Sequence, residues 1–119
     1  MKLGTFIDMK IDIKPISANR MWQGRRFKTK EYAAWREEFR LRTLTFPSFT
    51  GMIDIRIALY LKSIVRMDID NAIKPILDAL QECKIIENDK YVQSLTIFKM
   101  KASKEYIDLD IYKYDSPET

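Results

Sequence analysis

Asp68, Asp70, Lys74 and Asp89 are the residues whose types and spacing could do chemistry in this 119-residue chain. Clustered carboxylates repel one another, and their ionised forms favour a divalent cation. Magnesium held there could polarise a phosphodiester, lower the pKa of a bound water and neutralise the leaving oxygen. A lysine nearby could stabilise the added negative charge of the transition state or orient the water. Lys74 follows Asp70 by four residues, so the two can share a helix face. The chain has no histidine and a single cysteine, Cys83. That removes Ser-His-Asp triads, Cys-His dyads, intrachain disulfides and zinc sites built on histidine or several cysteines. A metal here must sit on oxygen ligands, which points to magnesium or manganese.

Asp-x-Asp spacing is weak by itself, and the chain carries its own control. Asp108-Leu109-Asp110 has the same spacing and reads as the solvated face of an alternating strand. Asp68 and Asp70 differ in their company: a strand before them, then Asn71, Lys74 and the separate Asn88-Asp89. Asp78 reads as a salt-bridge partner that positions Lys74 rather than as a metal ligand. Arg66 could contact phosphate or simply solubilise the strand end. Glu82-Cys83-Lys84 matches half of a restriction-type nuclease motif, but it falls at a helix end with Glu82 facing away from the apolar side. Cys83 itself reads as an inert core thiol.

Arg20, Arg25, Arg26, Lys28 and Lys30 give residues 20–30 a charge of +5, so the rest of the chain nets −1 against the overall +4. Trp22, Gly24 and Phe27 are interleaved with them. This composition suits a phosphate-gripping loop with aromatics available for bases. The alternative is a solvated loop whose aromatics tuck onto the core.

The elements that must position these residues are legible from periodicity. Residues 6–13, 53–62 and 106–113 alternate apolar and polar as half-buried strands do, and 91–100 is rich in β-formers. Residues 29–44 place Tyr32, Trp35 and Phe39 at helical spacing behind a Thr29 cap. Residues 71–83 place Ile73, Ile76, Leu77, Leu80 and Cys83 on one helix face, capped by Asp70 or Asn71. Pro75 predicts an irregular first turn up to Lys74, with regular helix after it. The order is β, basic loop, α, β, α, β, β. It predicts a single α+β (mixed α/β) domain over 1–119, with a roughly four-stranded mixed sheet packed with two helices. No run approaches the length of a membrane span, and the N-terminus lacks a signal peptide's apolar stretch. A reducing, cytoplasmic setting is expected.

The run Asp68-x-Asp70-Asn71-x-x-Lys74-x-x-x-Asp78-Ala79-Leu80, followed by Asn88-Asp89-Lys90, resembles the signature of RusA-type Holliday-junction resolvases. Pro15-x-Ser17-x-Asn19-Arg20 is similar to the segment before that family's basic loop. The resemblance implies a magnesium-dependent homodimer, with manganese as a possible substitute, that makes paired nicks in four-way DNA junctions during recombination and repair. It implies metal-binding aspartates at Asp68, Asp70 and Asp89 and an essential lysine at Lys74. It also implies no organic cofactor, no membrane partner, and a common occurrence in phages and prophages. DNA contacts are expected from Asn19, Arg20, Arg25, Arg26, Lys28, Lys30 and Arg66, with Asn71 and Asp78 in support. One departure is visible: many relatives turn through a glycine after the Asp-Ala-Leu helix, where this chain has Gln81-Glu82-Cys83-Lys84. The competing readings are a non-catalytic DNA-binding module and a protein–protein adaptor whose basic loop meets an acidic partner.

Overall fold

A computed structural model describes residues 4–24 and 27–114. The long strands are β1 (Gly4–Ile11), β4 (Ile53–Leu61), β5 (Val92–Lys101) and β6 (Tyr106–Tyr114). They form one sheet in the order β1-β6-β4-β5. β6 runs antiparallel to both β1 and β4, whereas β4 and β5 are parallel, so the sheet is mixed. Two short strands, β2 (Trp22–Gln23) and β3 (Phe27–Lys28), pair as a separate ribbon. The helices are α1 (Lys30–Arg42) and α2 (Ile69–Glu82). This is the α+β architecture that the sequence predicts, with the small ribbon added in the basic loop.

The strand alternation does the expected work. Ile53, Ile55, Ile57, Leu59 and Leu61 are all buried, as are Met9, Ile11, Ile107, Leu109 and Ile111. They meet Tyr32, Trp35 and Phe39 of α1 and Ala72, Ile76, Ala79 and Leu80 of α2 in one core. Thr29 caps α1, its hydroxyl accepting from the Tyr32 N–H at 3.0 Å. That settles Tyr32, Trp35 and Phe39 as core residues. The parallel β4 and β5 cannot be joined by a tight turn, so the chain crosses back through α2. This β4–α2–β5 crossover fixes where the acidic residues go.

α2 differs in detail from expectation. It starts at Ile69 with Asp68 as its N-cap, and it continues unbroken past Pro75. Its start is tight, with an Asn71 N–H to Asp68 carbonyl bond of 3.2 Å. Pro75 removes the one donor that would serve the Asn71 carbonyl, and the helix runs on through that single missing bond. The far end closes without glycine. The Ile85 N–H bonds the Leu80 carbonyl and the Lys84 N–H bonds the Gln81 carbonyl, with Lys84 at φ 61°. This is a Schellman closure in which lysine takes the left-handed position that usually falls to glycine.

Candidate nucleic-acid and metal site

Asp68 and Asp70 stand at the head of α2, just past the C-terminal ends of the parallel strands. The approach to them is pinned from three sides. Lys99 Nζ donates to the carbonyls of Ile64 at 2.7 Å and Met67 at 3.1 Å. Arg66 binds Glu105 at 3.0 Å and donates to the Pro15 carbonyl at 2.9 Å. Glu105 is buried and also accepts from the Lys62 N–H at 3.0 Å. Arg66 therefore ties the acidic turn to the sheet and to the start of the basic segment.

Asp68 has extended backbone torsions at the N-cap, but its carboxylate makes no capping bond. The side chains of Asp68 and Asp70 are exposed and make no hydrogen bond or ion pair among the described residues. An aspartate in a cap position normally accepts a backbone N–H. Here both carboxylates are left open beside the positive end of a helix dipole. Lys74 lies one turn further on and pairs with Asp78 at 3.2 Å, the i,i+4 bridge that the spacing predicts. Asn71 is half-buried behind this row.

Asp89 sits elsewhere. It opens a 3₁₀ turn, Asp89–Tyr91, just before β5, with Asn88 capping the turn through the Lys90 N–H. The Asp89 N–H donates to Gln81 Oε1 at 3.0 Å, which places it beside the last turn of α2. Asp70 and Gln81 are separated by about 16 Å of helix at 1.5 Å per residue. The crossover topology thus holds Asp68 and Asp70 at one end of α2 and Asp89 at the other. Within one chain these three carboxylates do not close into a cluster with all ligand atoms within 4.8 Å; among the described residues only Asp8, Asp108 and Asp110 do.

The basic segment runs along the neighbouring surface. Residues Ala18–Arg20 form a 3₁₀ turn packed on α2, with the Ser17 hydroxyl accepting from the Asn19 N–H at 3.2 Å. Asn19, Arg20, Lys28 and Lys30 are exposed. Arg20 reaches Glu31 at 3.5 Å, and Lys28 lies over the Tyr32 ring at 5.7 Å. Thr29 Oγ1 donates to the Arg20 carbonyl and closes the base of the ribbon. Trp22 remains 45 % exposed. Arg25 and Arg26 fall outside the described residues. Glu82, the acid of the restriction-type match, is held by Arg36 at 2.7 Å across the α1–α2 gap. Cys83 is half-buried against the core.

The model of the endodeoxyribonuclease RusA family matches residues 12–112. The chain belongs to the RusA family. It is therefore an endodeoxyribonuclease of the Holliday-junction-resolving type, an enzyme rather than a non-catalytic DNA-binding module. No individual curated protein matches it. The RusA match begins at the end of β1 and takes in the basic ribbon, both helices and the acidic turn. Among the described residues no helix is long and apolar enough to cross a membrane.

Proposed function

We propose that this RusA-family chain is a magnesium-dependent homodimer that resolves four-way DNA junctions by paired nicks, in recombination and repair. The observation that carries the proposal is the open acidic pair at the head of α2, with Lys74 one turn behind it. Asp68 and Asp70 fit a hard cation: they are oxygen donors, exposed, and free of partners among the described residues. They would hold magnesium, with Asp89 of the partner subunit as the third carboxylate. Asp89 stands beside the last turn of α2, away from the pair, so a site that used all three carboxylates would draw Asp89 from a second copy. When bound, the ion would supply an activated water and neutralise charge on the phosphate.

The remaining roles fall to the chain's own groups. Lys74 would donate to the scissile phosphate, its ammonium aimed by Asp78. Arg20, Lys28 and Lys30 would grip flanking phosphates, with Arg25 and Arg26 in the same segment. A two-fold dimer would present two such sites to strands related by junction symmetry, which explains paired cuts. A cytoplasmic location and a phage or prophage origin belong to the same proposal.

The direct test is cleavage of a four-way junction against linear duplex, with and without magnesium. Junction-selective, EDTA-sensitive nicking at symmetric positions is expected. Cleavage that persists in EDTA would overturn the metal-dependent reading. Sedimentation should give a mass near twice 14.2 kDa.

A further inference from the structure

A cleft of about 290 Å³ opens where the β2–β3 ribbon meets α1 and α2. Its walls are Trp22 and Lys28 from the ribbon, Arg36 from α1, and Asp78, Gln81 and Glu82 from α2. Tyr32 closes the back, with its hydroxyl accepting from Arg36 Nη1 at 3.0 Å. The α2 residues tie this cleft to Lys74 at one end and to the Asp89 turn at the other. Asp78 holds Lys74 at 3.2 Å, and Gln81 Oε1 accepts from the Asp89 N–H at 3.0 Å.

The charges of the lining cancel. Lys28 and Arg36 stand against Asp78 and Glu82, and both acids already have cationic partners, Lys74 and Arg36. A phosphate gains no net attraction in such a place. A flat neutral heterocycle with its own donors and acceptors suits it better. The Gln81 amide nitrogen makes no hydrogen bond among the described residues, and the two carboxylates keep lone pairs for exocyclic amines. Trp22 offers an exposed indole face, 45 % accessible, on a segment that is otherwise cationic. An exposed aromatic among phosphate-gripping side chains is the arrangement that stacks unpaired bases.

We propose that this cleft is a subsite for one unstacked nucleobase at the branch point of the junction, with Trp22 as its stacking face and Gln81 as its hydrogen-bonding floor. The inference rests on the nuclease reading and adds a specificity element to it. Unstacking is cheap at a branch point and costly in linear duplex, so the cleft favours branched DNA without reading a groove.

The test uses the full chain without magnesium, a four-way junction and a linear duplex of the same sequence. Stacking on a base quenches indole emission, and Trp35, the other tryptophan, is buried in the core. Junction binding is expected to quench Trp22, and duplex binding is not. Trp22→Ala should weaken junction binding roughly tenfold and leave duplex binding unchanged, while Trp22→Phe retains most of the preference. Circular dichroism checks that these surface variants fold. Equal loss on both DNAs, or junction binding without quenching, overturns the base subsite and leaves the nuclease reading intact. Absence of junction binding at low salt overturns both.

Discussion

The two Asp-x-Asp pairs of this molecule have the same spacing and different physics. Asp108 and Asp110 sit on a strand, where residues two apart share a face. Asp8 lies directly across from Asp110 in the β1–β6 register. The three carboxylates crowd together on the sheet face away from the helices and settle the repulsion among themselves. The Asp108 carboxyl is pushed up to about 6, first by burial, then by its hydrogen bond to Asp8 and the charges of Asp8 and Asp110. Asp8 is correspondingly lowered, because it accepts that hydrogen bond. Asp110 is raised by burial and by Asp8, and Arg56 at 4.0 Å opposes the rise. Asp68 and Asp70 sit at a helix head instead, exposed and without partners among the described residues. A tight acidic cluster can thus share a proton once the pH falls below about 6, whereas an open pair keeps its oxygens available. Proximity of carboxylates alone does not separate the two cases; what else they bind does.

The largest expected effect tests the open pair. Asp70→Asn should keep junction binding and lose magnesium-dependent cleavage by on the order of a thousandfold, since a metal site supplies several kcal/mol. Asp108→Asn should cleave normally. A gel shift and a junction cleavage assay on both variants decide it, and full cleavage by Asp70→Asn would remove Asp70 from the mechanism. Lys74→Ala is expected to lower the rate about a hundredfold with little change in binding. Asp78→Ala should cost less, because it only aims the ammonium.

The crowded cluster predicts a stability effect. A raised carboxyl pKa means that the folded state binds the extra proton. The stabilisation is fully present below the unfolded value of 3.8 and is lost as pH rises through about 6. The lowered pKa of Asp8 acts oppositely, its contribution fading below 3.8. Thermal unfolding should therefore show rising stability from pH 8 to 5. Asp108→Asn should flatten that rise and gain about 1 kcal/mol at pH 8, allowing for solvent screening. A pH profile identical to the wild type would remove proton sharing as the explanation.

Two smaller effects complete the series. Lys84→Gly should stabilise the chain by about 0.5–1 kcal/mol, because φ 61° suits glycine better. Asp68→Asn should change stability by about 0.5 kcal/mol or less in denaturant titration, since no cap bond is lost. A loss well above 1 kcal/mol would give Asp68 a structural role and weaken the contrast with Asp108.

Much of the fold is written locally. Ile53 through Leu61 alternate because one sheet face is buried, and Tyr32, Trp35 and Phe39 recur with helical period for the same reason. Lys74 and Asp78 find each other because they are a turn apart. The ribbon of β2 and β3 is less legible, since each strand is two residues long. The closure at Lys84 left no glycine to announce it.

The sequence by itself determined the sheet and helix order, the absence of histidine and of a second cysteine, and the company that Asp68 and Asp70 keep. Periodicity and side-chain chemistry are local properties, and they survive in one dimension. Tertiary structure decided that Asp89 stands at the opposite end of α2, that Arg66 bonds Glu105 and the Pro15 carbonyl, and that Asp8 crosses to Asp108 and Asp110. These are distances between residues far apart in the chain, and only the strand register and the β4–α2–β5 crossover set them. The acidic pair was visible as a spacing; that both carboxylates are exposed, and that Asp89 lies the length of α2 away from them, was not.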